Sequence, residues 1–149
     1  MVNDIPITSF TYRLASYSDF NQPYARNMRG ITFREDTGKL VAAPFWKFFN
    51  YGENPFTEES AVNTWRPTMV GDKLDGSLVY FYELDGTLQA KTKFHCFSGQ
   101  AASALKYAQE HTWMHDTLLD FVENGYTPMF EYVAPDNQIV LQYPQEDLV

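Results

Sequence analysis

Cysteine, histidine and positive charge are all scarce in this chain. Cys96 is the one cysteine among 149 residues, which excludes an intrachain disulfide framework and a cysteine-rich zinc site and fits a reducing, cytoplasmic setting. Lysine and arginine number 11 against 19 aspartates and glutamates, for a formal net charge of −8. A protein that grips nucleic acid by diffuse phosphate attraction is normally basic. Any nucleic-acid contact must therefore be local, or be carried by residues outside this chain. No run approaches the ~18 apolar residues of a membrane-spanning helix, so no membrane partner is expected. The opening MVNDIPITSF lacks a basic n-region and a long apolar stretch and does not read as a signal peptide. Internal repeats and low-complexity linkers are also missing.

What the chain does have is apolar and aromatic material, 44% and 17% of residues, enough for one core. ITSFTYRL reads as a strand, and Tyr17, Phe20 and Tyr24 as a short packed segment. Gly30–Glu35 and Lys39–Trp46 read as two strands joined by Asp36-Thr37-Gly38, with glycine where positive φ is needed. Phe48–Phe56 reads as a loop with aromatic anchors. A second hairpin runs from Ser77–Leu84 through Asp85-Gly86 to Thr87–Lys93; both faces of VYFY are apolar, so this strand should be buried on both sides. Ser98 can cap a helix carrying Ala101, Ala104, Leu105 and Ala108. Thr112 can cap a second, with Leu118, Phe121 and Val122 as its stripe and Gly125 past its end. Met129–Ala134 and Gln138–Tyr143 complete a third hairpin across Pro135-Asp136-Asn137, and nothing after it reads as a closing element. The expected class is α+β, antiparallel sheets with flanking helices.

Lys73-Leu74-Asp75-Gly76 stands just ahead of the most apolar strand. A lysine amine is nucleophilic only when deprotonated, a form favoured by burial or nearby cations. Gly76 would let backbone approach a ligand, and Asp75 could orient a hydroxyl or hold a turn. A plain solvated turn has the same pattern. His111 and His115 share an i, i+4 spacing that can hold a metal, but no third ligand accompanies them. Cys96 has no base pointing to it and reads as a buried or semi-buried thiol.

Followed by Ser77 and a hydrophobic strand, this tetrapeptide resembles the nucleotidyl-attachment motif of covalent nucleotidyltransferases: RNA ligases, DNA ligases and mRNA capping enzymes. Three more stretches, ARNMRGITFRE (Ala25 to Glu35), FWKFFNYGENPF (Phe45 to Phe56) and MFEYVAPDNQIVLQY (Met129 to Tyr143), resemble in order and spacing those of the phage RNA ligase 1-like family. The resemblance implies an adenylyltransferase domain of the ATP-grasp-like ligase type, with ATP and Mg²⁺ as cofactors and RNA bearing 5′-phosphate and 3′-hydroxyl ends, tRNA included, as partner.

Lys73 would then be the catalytic nucleophile. Arg29, Lys47, Phe49, Leu74, Asp75, Gly76, Lys93 and Glu131 would bind ATP, with Glu131 also near the metal. Four of these have a plainer reading: an exposed strand-start arginine for Arg29, a snorkelling lysine for Lys47, core for Phe49, a strand's wet face for Glu131. Lys91, two residues before Lys93, reads as solvated. The family's later motifs, a metal-associated glutamate and a strand with a lysine pair, are not found, nor is a C-terminal RNA-binding domain. Residues 1–149 are thus expected to be the N-terminal part of the adenylyltransferase domain, impaired alone, with a second polypeptide as one source of the missing motifs. The alternatives are a non-catalytic nucleotide-binding or assembly remnant, and a DNA ligase or capping-type nucleotidyltransferase.

Overall fold

The computed structural model describes residues 1–149. Its class is α+β with two antiparallel sheets, as the pattern predicts. The first sheet has the order β1 (Ile7–Thr11), β2 (Arg29–Arg34), β3 (Leu40–Ala42). The second has the order β5 (Thr87–Thr92), β4 (Ser77–Leu84), β6 (Met129–Val133), β7 (Asp147–Leu148). Three helices complete the chain: the short α1 (Glu59–Val62), α2 (Gly99–Glu110) and α3 (Thr112–Glu123).

Strand β4 is the centre, and its period of two sorts its side chains. Val79 and Phe81 face α2 and α3, packing with Leu88, Ala90, Ala101, Ala104, Ala108, Leu118 and Val122. Tyr80, Tyr82 and Leu84 face the other way, toward Val2, Ile5 and Ala42. The double burial expected of VYFY is what the fold uses to join its layers. Small alanines on α2 let the helix lie close on β5.

Local signals explain most boundaries. Asp85 and Gly86 both take positive φ, 49° and 74°, the two-residue turn whose twist suits a hairpin. Gly38 takes φ +69° at the β2–β3 turn. Ser98 caps α2 by accepting from the Ala101 amide at 3.1 Å. Arg34 ties the two hairpin turns together through Asp36 at 2.7 Å and Asp85 at 2.6 Å.

Several expectations need correction. β3 is only Leu40–Ala42, because Pro44 has no amide to extend a ladder and the Ala43 amide donates to Thr127 Oγ1. Tyr24 is exposed, while Tyr17 and Phe20 lie in a 3-10 turn with Phe20 buried. Thr112 is the first residue of α3 and His111 occupies its cap without a side-chain bond. Phe121 is half exposed, edge-on to Tyr126, rather than in the core stripe. Gln138–Tyr143 is not a strand; its Val140 and Leu141 amides are taken by Asp75, as described below, and β6 pairs instead with β7. Cys96 is half-buried against the Tyr80–Tyr82 side of the core, as read.

Lys91 is the largest departure. It is fully buried rather than solvated. Its register opposite Tyr80 points it at the first sheet, where Nζ donates to Thr32 Oγ1 at 2.7 Å, to Gly30 O at 3.3 Å and to Ser9 Oγ. All three acceptors are neutral. Burial pushes the ammonium pKa down to about 8.

Candidate active site

The turn carrying Lys73 is built by three clamps. The Gly76 amide donates to Glu131 Oε1 at 3.0 Å. Asp75 Oδ2 accepts from the amides of Val140 and Leu141, each at 2.6 Å. The Asp75 amide donates to the Tyr143 hydroxyl at 2.9 Å. The Leu141 and Val140 amides hold the Asp75 carboxyl below the usual carboxylate range. Gly76 is required by space: a Cβ there would collide with the Tyr132 carbonyl and crowd Val133. The glycine therefore serves a close approach to β6. Behind the turn, buried Asn137 donates to Tyr132 O at 2.9 Å and pairs with Ser77.

These clamps leave Lys73 itself exposed. Its Nζ has one long contact, to Leu74 O at 3.4 Å, and no carboxylate within ion-pair distance. The backbone of the turn is held while the Lys73 side chain is free to reorient. Leu74 is half-buried on the same turn.

Lys47 and Lys93 gather on a different feature, an aromatic cluster of Tyr12, Tyr17, Phe20 and Phe49. Lys47 Nζ lies 4.5 Å from the Phe49 ring centroid and pairs with Glu53 at 3.0 Å. Glu53 is held below the usual range first by the Asn50 amide and then by Lys47. Lys93 Nζ lies 3.9 Å from the Tyr12 ring centroid. Arg29 stacks over Phe48 at 4.9 Å, and its Nη1 is buried with no hydrogen-bond acceptor. A buried donor without an acceptor is costly.

Tyr12, Tyr17, Phe20, Lys47, Phe49 and Glu53 line a cavity of about 390 Å³, within the range of small-molecule pockets. A cavity of about 290 Å³ beside β3 and the end of α3 contains none of the candidate residues. The structure thus brings Lys47, Phe49 and Lys93 to one aromatic cluster with Arg29 beside it, and joins Asp75, Gly76 and Glu131 around the Lys73 turn. No direct contact links Lys73 to the aromatic group.

Sequence reasoning missed several members. Tyr143, Asn137 and Ser77 hold the turn through contacts 60 or more residues apart, which no local pattern signals. Arg26, half-buried between Phe49 and Phe56 at 5.4 and 5.6 Å, was foreshadowed by its place in ARNMRG. His111 Nδ1 contacts Tyr107 O at 2.7 Å and stacks on that ring, while His115 pairs with Asp116, so the two do not converge. No group of three or more His, Cys, Asp or Glu is placed to hold a metal ion. No helix is long and apolar enough to cross a membrane.

Comparison with known proteins gives this arrangement its context. The chain is 30% identical over 143 residues to a protein assigned as an RNA ligase in Thermovibrio ammonificans, covering 96% of this chain and 37% of the relative. It is 32% identical over 142 residues to RNA ligase 1 of bacteriophage TS2126, covering 91% and 36% respectively. The chain therefore spans a little over a third of the length of these two relatives. The RNA ligase family profile matches residues 27–149, a span that includes Arg29, Lys47, the Lys73 turn, Lys93 and Glu131. With that match covering most of its length, the chain belongs to the RNA ligase family.

Proposed function

We propose that this chain supplies the nucleotide-charging part of an ATP-dependent RNA ligase, in a nucleotidyltransferase domain working in the cytoplasm. Lys73 is the nucleophile. Its deprotonated amine attacks the α-phosphorus of ATP, a P–N bond forms, the bond to the bridging oxygen breaks and pyrophosphate leaves. AMP then passes to an RNA 5′-phosphate, and an RNA 3′-hydroxyl displaces it as the strand is joined. The observation that carries this reading is the three-way clamp on the Lys73 turn: backbone rigidly placed from both sides, with the amine left accessible and unpaired. Positioning and charge stabilisation are what phosphoryl transfer requires of a protein.

Arg29, Lys47 and Lys93 would take the phosphate oxygens, Lys47 by exchanging Glu53 for phosphate. Phe49 fixes Lys47, and Leu74, Asp75 and Gly76 shape the turn. Magnesium, when bound, would neutralise phosphate charge and keep several waters. Glu131 is the carboxylate beside the turn that would help hold it, but one of its oxygens already accepts from Gly76. RNA joining would draw on sequence beyond these residues, in the same or a second polypeptide.

The test is incubation with α-labelled ATP and Mg²⁺, using wild type and Lys73→Ala. Label in wild type alone is the expected result. Equal label in both would place the nucleophile elsewhere. No label even with the chain tested within a protein of its relatives' length would overturn the ligase reading.

A further inference from the structure

We propose that the outward face of Phe45–Phe56 is a stacking platform for single-stranded RNA, which deepens the ligase reading by naming where the RNA strand lies. In this segment the side chains divide. Lys47 and Phe49 turn inward to the aromatic cluster. Phe45, Trp46, Phe48, Tyr51 and Phe56 remain 50–66% exposed, five large rings within 12 residues. Phe45 and Phe48 meet edge-on at 6.2 Å, which leaves ring faces open.

Arginines are threaded among these rings. Arg29 covers one face of Phe48, and Arg26 lies between Phe49 and Phe56. The Lys47 amide donates to Arg26 O at 2.8 Å, so the two arginine–aromatic stacks are neighbours. Neither guanidinium has a carboxylate partner, whereas Arg34 has two. The one carboxylate within Phe45–Phe56, Glu53, is already engaged by Lys47 and the Asn50 amide. In a chain of net charge −8, this is a local surface of positive charge and open π-faces.

That combination selects the occupant. Splayed bases stack on rings and guanidinium planes while phosphates take the guanidinium edges. A duplex hides its base faces. An apolar protein cover would offer no acceptor to either guanidinium, which is costly.

The experiment is fluorescence anisotropy with a 3′-labelled, 5′-phosphorylated 12-nucleotide oligo(A), and a blunt duplex of equal length for comparison. Trp46→Ala and Tyr51→Ala each weaken single-strand binding about fivefold or more, on the scale of one lost base stack. Trp46→Phe retains most of the affinity, and duplex binding does not change. Both side chains are exposed, so urea midpoints stay near wild type. Affinities within twofold of wild type for both alanine variants, or no single-strand binding by wild type, would overturn the platform. So would intact RNA affinity combined with a loss of self-association on gel filtration, which would assign the face to protein. Failure of Lys73 labelling would remove the ligase reading while leaving this measurement standing.

Discussion

Lys91→Met probes an ammonium group buried among neutral acceptors. Burial lowers the Lys91 pKa from 10.5 to about 8. Below about pH 8 both folded and unfolded chains carry the proton, and the native state bears the full penalty of a buried charge. Between 8 and 10.5 the native chain releases its proton first, the unfolded chain holds more protons, and stability rises with pH. From pH 7 to 9.5 the gain is about 2 kcal/mol at ~1.4 kcal/mol per tenfold. Tyr80 and Tyr82, raised by burial, act with the opposite sign only near and above the ordinary tyrosine range, so the window should stop at pH 9.5. In Lys91→Met the remaining polar groups can satisfy one another, since Thr32 Oγ1 already donates to Ser9 Oγ at 3.0 Å and the Tyr80 hydroxyl to Gly30 O at 2.8 Å. At pH 7 the variant should be within about 1 kcal/mol of wild type or more stable, because buried ions are often replaceable by apolar groups of similar volume. Urea unfolding of both proteins from pH 7 to 9.5 measures the difference, and shared effects of net charge cancel. Parallel pH profiles would refute the reasoning, as would a loss above about 3 kcal/mol at pH 7.

Gly76→Ala drives a Cβ into the Tyr132 carbonyl, so it should cost about 1–3 kcal/mol in the urea midpoint and slow Lys73 labelling; no change in either would contradict the close approach. Asp75→Ala frees the Val140 and Leu141 amides and should speed proteolysis within residues 137–143. Because the Asp75 pKa is depressed in the fold, its contribution is present above the unfolded value and lost as pH falls through the folded one; wild type should approach the variant's cleavage rate in acid. Glu53→Gln removes the carboxylate that competes for Lys47 and should tighten ATP binding about two- to fivefold, with weakened binding by equilibrium dialysis as the contrary result.

Local chemistry made much of the fold legible. The Asp85-Gly86 turn, the Ser98 cap and the double-faced apolar run of β4 each follow from near neighbours, and each is found as read. Long-range polar partners were not legible. Gln138–Tyr143 has strand-like composition, yet Asp75 captures two of its amides from 65 and 66 residues away. Lys91 looked like a surface lysine because its acceptors, Ser9, Gly30 and Thr32, lie on another sheet. Alternation along β5 put Leu88 and Ala90 toward the helices, and so Lys91 toward the first sheet; only a map of that sheet could have shown it would be covered.

The clamp on the Lys73 turn also has a consequence in time. Its hydrogen bonds close loops of 55 to 68 residues, the last of them to Tyr143. Loops of that length form late relative to hairpins and helices. During synthesis at about 5–20 residues per second, roughly 3–14 s separate the appearance of Asp75 from that of Tyr143. Through that interval the β4–β5 hairpin can form while the lysine beside it has no fixed seat. The Lys73 turn would be seated only after the segment that restrains it has been made.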